Sequence, residues 1–136
     1  MVFSDQKSMK IMNSESVEML VELDRETDGT LVLDLIRGYR ADLPRRVASL
    51  KTFFDDRNAA KLSFEAHAIK STFANFGAET LAAVMQAVEL SAKSEDWAAV
   101  SVALEQMHPL INDFNEDITE LEARAEKIQL DRHKAS

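Results

Sequence analysis

Apolar residues recur at helical spacing along most of the chain, which predicts long amphipathic helices. The clearest series lies between positions 31 and 54, where apolar side chains return every three or four residues. Its members are Leu31, Leu35, Ile36, Tyr39, Leu43, Val47, Leu50 and Phe54. Pro44 falls within this series and lacks a backbone donor, so we expect a kink near Ala41.

Turn and cap residues divide the rest of the chain into further helices. Ser16 is suited to cap a short first helix over residues 17–25. A third helix is expected over residues 59–76, because Gly77 supplies a left-handed stop. A fourth helix follows at once and ends near Ser94.

The connections between the later helices are very short. One lies at Gly77, and the other is Ser94-Glu95-Asp96, after which Asp96 caps a fifth helix from Trp97. Short links force neighbouring helices to be antiparallel. The pattern therefore predicts an all-α fold, an antiparallel up-and-down four-helix bundle with a short extra N-terminal helix.

We expect three segments along the chain: an N-terminal arm (1–15), the four-helix bundle (16–126) and a C-terminal tail (127–136). Apolar positions continue in steps of three and four past residue 121, through Ala125 and Ile128. This extension either packs against the apolar residues of the arm or mediates a weak dimer, and we favour the first, with a monomer. Those arm residues are Phe3, Met9, Ile11 and Met12. The last ten residues or so are expected to fray.

Composition and charge narrow the class of protein. Three Gly and two Pro in 136 residues favour long helices over a sheet with many hairpins. The absence of Cys excludes disulfide and thiol chemistry. A net charge of −8 argues against nucleic acid or an anionic membrane as partner. Apolar runs fall far short of the roughly 20 residues that span a bilayer, and no N-terminal signal pattern is visible, so we expect a cytoplasmic protein.

The third predicted helix carries a histidine on its outer side. His67 lies about 140° from the centre of the apolar stripe on a helical wheel. The small residues Ser63, Ser71 and Ala74 leave space about its ring, and Lys70 places a positive charge within reach. The stripe itself consists of Leu62, Ala66, Ile69, Phe73 and Phe76.

This setting suits a nucleophile that meets a second protein. No His, Cys or carboxylate lies three or four residues from His67, so a metal site is not expected. The setting does not suit a hydrolase triad either, because the other histidines, His108 and His133, lie on a different predicted helix and in the tail. An exposed imidazole nitrogen can accept a phosphoryl group from a partner and return it.

The segment AHAIKSTFANFGAETL (residues 66–81), followed by Val88-Glu89, resembles the histidine-containing phosphotransfer (HPt) domains of two-component relays. That family has the pattern A-H-x-L-K-G/S-S/T-x-x-x-x-G-A-x-x-L, followed by a helix ending in an apolar-Glu pair. The segment DLPRR (residues 42–46) and the turn AKSEDW (residues 92–97) also match the family. The likeness extends over about residues 17–121.

The resemblance implies a role for each matching residue. His67 is implied to be phosphorylated, Lys70 to steady the phosphoryl group, and position 71 to stay small, with Ser71 in place of the commoner glycine. Glu89 matches the position that orients the imidazole. From the residues alone, Lys70 could be plain surface charge and Glu89 could face solvent. Phe64 could dock a partner or tuck against the first helix.

The implied activity is relay of a phosphoryl group between aspartates on receiver domains of response regulators or hybrid histidine kinases. No cofactor is expected, since Mg²⁺ would come with the receiver, and no autonomous kinase activity is expected without a Gly-rich nucleotide loop. Two alternatives stay open. The chain could be a helical adaptor that docks a receiver or kinase without transfer, or a receiver phosphatase acting through His67 or Glu89.

Overall fold

The structure, a computed structural model, describes residues 9–27 and 29–135. These residues form five helices and no strand: α1 (Ser14–Glu26), α2 (Leu31–Asp55), α3 (Ala59–Asn75), α4 (Glu79–Lys93) and α5 (Trp97–Ala135). Helices α2 to α5 form the bundle, in which α3 packs on α4, α4 on α5, and α2 on both α3 and α5. Helix α1 packs against α2 and α5. The predicted all-α bundle with an extra N-terminal helix is confirmed.

Three connections within the bundle share one geometry. Each has three residues, and the middle residue, Arg57, Gly77 or Glu95, has a positive φ of 55°, 70° or 55°. In each, the third residue donates its backbone N–H five residues back at 2.9 Å, as Ala78 does to the Phe73 carbonyl. This hydrogen bond and the left-handed residue define the helix C-terminal motif that reverses the chain direction. The predicted left-handed stop at Gly77 is confirmed.

The core lies along the axis of the bundle and contains a cluster of aromatic rings. Tyr39, Phe73 and Phe76 all meet the ring of Phe114 edge to face, with centroids 5.1 to 5.7 Å apart. The Tyr39 hydroxyl donates to the Asn115 side chain at 2.7 Å, which satisfies its one polar atom. Pro44 does not end α2, which continues through it to Asp55.

Helix α1 begins earlier than predicted, at Ser14, because its cap is Asn13 and not Ser16. The Asn13 side-chain oxygen accepts from the backbone N–H of Glu15 and of Ser16. The Asn13 backbone N–H donates to the Gly77 carbonyl at 2.8 Å, so a contact distant in sequence fixes the start of α1. Ser16 instead lies against Gly77.

The C-terminal residues, which were expected to fray, are helical in the structure. Helix α5 crosses position 126 without a break and remains helical to Ala135. Its extension is held by α1: Arg124 donates to Glu18 at 2.9 Å, and Arg132 donates to the Arg25 carbonyl at 2.8 Å. The proposed limits of the bundle and its tail stay predictions.

The described arm residues pack on α5 at Asp117, which precedes the extension that was predicted to receive them. Met12 is buried, and Met9 and Ile11 pack against the core at its edge. Phe3 lies outside the described residues. Helix α1 contacts the extension through Arg124 and Arg132, and the described arm residues contact α5 at Asp117 instead. The weak dimer stays a prediction.

Candidate functional site

His67 projects from the outer side of α3, as the helical wheel predicts. Its side chain is 60% exposed, whereas its neighbours Ala66 and Ile69 are fully buried in the core. The ring therefore contributes little to packing, and one side of it is open to an approaching molecule.

Glu89 of α4 faces the His67 ring across the junction of the two helices. Its two carboxylate oxygens lie 3.1 and 3.3 Å from Nδ1 of His67. Residues Met85, Val88 and Ala92 hold this face of α4 against the core, so the Glu89 side chain is only 10% exposed. The alternative in which Glu89 faces solvent is excluded.

Two lysines also bind the Glu89 carboxylate. Lys70 Nζ donates to Oε1 at 3.0 Å, and Lys93 Nζ lies 3.4 Å from Oε2. Sequence reasoning placed Lys70 beside His67 but did not single out Lys93. The signal was present, because Lys93 follows Glu89 by four residues on α4, the spacing at which such pairs meet.

The charge of Glu89 determines which nitrogen of a neutral His67 ring carries the proton. Burial alone would raise the pKa of Glu89, but hydrogen bonds from Lys70, His67 and Lys93 outweigh it and lower the pKa to about 2. At neutral pH the carboxylate is ionised and can only accept hydrogen bonds. We therefore assign the proton of a neutral ring to Nδ1, which leaves the Nε2 lone pair free.

The other predicted site residues divide into open and buried positions. Ser71 and Ala74 are exposed, and the Ser71 hydroxyl donates to the His67 carbonyl at 3.3 Å. Phe64 is 77% exposed, which excludes the alternative in which it tucks against α1. Ser63 was expected to leave open space but is 6% exposed. On the helical wheel, Ser63 lies about 40° from His67 in the direction of the core stripe. Lys70, which contacts Glu89 of α4, lies on this same side of α3.

Within the described part of the chain, no group of three or more His, Asp or Glu side chains is placed to hold a metal ion. The expectation that Mg²⁺ arrives with a receiver stays a prediction. No helix among residues 9–27 and 29–135 has the length and apolar character needed to cross a membrane.

Comparison with protein families identifies the class of this fold and site. The family model for the Hpt domain matches residues 34–129, which include α3, α4 and the four residues in contact at the site, His67, Lys70, Glu89 and Lys93. The chain therefore belongs to the Hpt domain family, which takes part in histidine phosphotransfer in two-component phosphorelays and interacts with receiver domains. The resemblance read from the sequence is confirmed. Searches of curated proteins and of solved structures found no match.

Proposed function

We propose that this protein relays a phosphoryl group between aspartates of receiver domains through Nε2 of His67. The observation that carries the proposal is the contact between Glu89 and Nδ1 of His67 at 3.1 Å. A buried carboxylate at Nδ1 selects the ring tautomer in which Nε2, on the far side of a 60% exposed side chain, is the nucleophile.

In the transfer step, one bond to phosphorus forms as another breaks, so no further reactant is needed. The Nε2 lone pair of His67 attacks the phosphorus of the receiver's aspartyl phosphate and forms the N–P bond. The bond from phosphorus to the aspartate oxygen breaks, and its electron pair leaves with the receiver's carboxylate. Because Nδ1 keeps its proton, the ring gains a positive charge, which the Glu89 carboxylate stabilises in the way an aspartate stabilises the histidine of a hydrolase triad. The reverse step passes the group to a second receiver.

Lys70 supplies the positive charge for the transferred group. Its side chain is 26% exposed and one turn from His67, so its ammonium group can reach the phosphoryl oxygens. A compact ammonium acts on phosphate as a point charge. Mg²⁺ would reside in the receiver's own site.

The surface around His67 suits a protein partner. Ser71 and Ala74 are small and exposed, and Phe64 presents an aromatic ring that α1 does not cover. Aromatic residues are enriched at protein–protein interfaces, where a ring can anchor the partner in a pocket. We propose that a receiver docks here and brings its phosphorylated aspartate to Nε2.

The test is transfer from a receiver labelled with radioactive phosphate. We expect acid-labile label on the wild-type chain and none on His67→Gln, while His108→Gln, which removes an exposed histidine of α5, labels as wild type does. Because His67 is outside the core, His67→Gln should melt within about 2 °C of wild type.

The same assay separates the alternatives. An adaptor would bind the receiver without taking label, and a phosphatase would release inorganic phosphate without an acid-labile intermediate on His67. Either result would contradict the relay.

A further inference from the structure

The Glu89 carboxylate contacts two lysines in addition to His67, which is more cations than its single negative charge requires. Lys70 reaches it from α3 and Lys93 from α4, each on a different oxygen. One lysine together with the His67 N–H would already provide donors to both oxygens. A second lysine on a 10% exposed carboxylate therefore requires an explanation.

Phosphorylation of His67 creates a conflict for Lys70. In the unphosphorylated protein Lys70 is hydrogen-bonded to Glu89 at 3.0 Å. To neutralise a phosphoryl group on Nε2 it must turn away from that carboxylate. The phosphorylated ring is cationic, but the anionic phosphoryl group that it carries offsets this charge. A buried carboxylate that loses its lysine is therefore destabilised, so Glu89 would hold Lys70 back unless a second lysine remained.

We propose that Lys93 is a positioning residue that keeps Glu89 neutralised and so frees Lys70 to move onto the phosphoryl group. This handover rests on the proposed function and adds a second lysine to it. Lys93 itself touches neither the phosphoryl group nor the receiver in this account; it acts through Glu89.

The geometry fits this division of roles. Lys93 and Glu89 are four residues apart on one helix, so their contact does not depend on α3. Lys70 follows His67 by three residues on α3, so its ammonium group can reach a phosphoryl group on that ring. The Lys93 side chain is 60% exposed and can shorten its 3.4 Å contact with Oε2 when Lys70 leaves Oε1.

The handover predicts a specific effect of Lys93→Gln. In the unphosphorylated variant, Lys70 still satisfies Glu89, so the ring tautomer and the melting temperature should match those of wild type. In the phosphorylated variant, Lys70 should stay on Glu89, and the rate of phosphoryl acceptance should fall about fivefold, as loss of about 1 kcal/mol implies. Lys93→Arg should recover most of the rate, since it restores the charge.

The test uses two readouts on the full chain. The first is the transfer rate from one phosphorylated receiver to wild type, Lys93→Gln, Lys93→Arg and Lys127→Gln, the last removing an exposed lysine of α5 as control. The second is the ¹H–¹⁵N signal of the Lys70 ammonium group before and after phosphorylation with phosphoramidate. We expect this signal to shift on phosphorylation in wild type and Lys93→Arg, and to shift much less in Lys93→Gln.

The outcomes distinguish this inference from the proposed function. The handover would be overturned, while the relay stands, if Lys93→Gln accepted phosphate at a rate within twofold of wild type. The Lys70 signal would in that case also shift on phosphorylation as it does in wild type. A His67 that takes phosphate from neither donor would overturn both. A changed tautomer in unphosphorylated Lys93→Gln would also overturn the handover, because Lys93 would then act on the resting site.

Discussion

In the proposed relay, the reactivity of His67 depends on Glu89, whose carboxylate contacts Nδ1 of the ring. The outward position of His67 follows from the spacing of apolar residues on one helix, and the sequence predicts it. The Glu89 contact joins residues 22 apart in sequence and depends on how two helices pack, so only the family resemblance indicated it. Lys93 was missed because its partner was not known to be buried.

Glu89→Gln should weaken transfer without preventing docking. A glutamine is neutral, so it cannot stabilise the positive charge that the ring gains, and its amide can either accept from Nδ1–H or donate to Nδ1. We expect about a tenfold loss in transfer rate, which corresponds to about 1.4 kcal/mol, and a mixture of ring tautomers. The ¹⁵N shifts of the two ring nitrogens report the tautomer directly. A wild-type rate with an unchanged tautomer would show that Glu89 is only structural.

The stability contributed by Glu89 should depend on pH in one direction. The pKa of Glu89 is lowered in the folded chain from 4.5 to about 2, so its carboxylate stabilises the fold above pH 4.5. That contribution is lost as the pH falls from 4.5 through 2. The free energy of unfolding of wild type should exceed that of Glu89→Gln by on the order of 2 kcal/mol at pH 7, discounted for the exposed Lys93 and His67 partners. Urea titrations at pH 7 and pH 2.5 check this, and a gap that widens in acid would contradict it.

The connections between helices hold α3 and α4 in the register that the site needs. Gly77 predicted the connection between α3 and α4 from the sequence, because glycine readily adopts a positive φ. Arg57 and Glu95 adopt the same left-handed conformation, at φ 55°, without any sequence signal. In both, the helix ends and the next cap impose the conformation on an ordinary residue. The number and order of helices could therefore be predicted, but not the shared geometry of their turns.

Gly77→Ala should destabilise the fold strongly. An added Cβ would lie 2.4 Å from Cβ of Ser16, and the φ of 70° is itself unfavourable for alanine. We expect a loss of about 2 to 4 kcal/mol in the free energy of unfolding, measured by urea denaturation.

The steric part of that loss can be separated by a double-mutant cycle. Ser16→Gly removes the atoms that Cβ would meet and leaves the backbone strain, so Gly77→Ala should cost less in that background, by about 1 to 2 kcal/mol. Equal costs in both backgrounds would show that α1 does not lie against Gly77.

The molecule as a whole extends beyond the family match. Helix α1 and the arm precede residue 34, yet Met12, Val17 and Val21 are part of the core. The arm is anchored by Asp117 of α5, which is 3% exposed and accepts the backbone N–H groups of residues 10, 11 and 12. The sequence predicted that the arm packs against the extension past residue 121. It could not predict Asp117, because a carboxylate within an apolar series gives no sign that backbone donors from a distant segment will satisfy it.

Asp117→Asn should loosen the arm. An asparagine side chain has one acceptor oxygen in place of two, so at least one of the three N–H groups, of which two are part-buried and one is buried, loses its partner, at a cost of about 1 to 3 kcal/mol. We expect lower stability to urea and faster hydrogen exchange at the amides of residues 10–12. Glu116→Gln, at an exposed neighbour that pairs with Lys10, should change stability by less than about 0.5 kcal/mol. Slow exchange retained in Asp117→Asn would mean that the arm is held by apolar packing alone.

The most direct test of the central claim is to identify which nitrogen of His67 carries phosphorus. The 136-residue chain, labelled with ¹⁵N at histidine and phosphorylated by a receiver, would be studied by ¹⁵N and ³¹P NMR. Because Glu89 holds Nδ1, we expect a phosphorus–nitrogen coupling to Nε2 of His67 and a retained proton on Nδ1. Phosphorus on Nδ1, or on any residue other than His67, would contradict it.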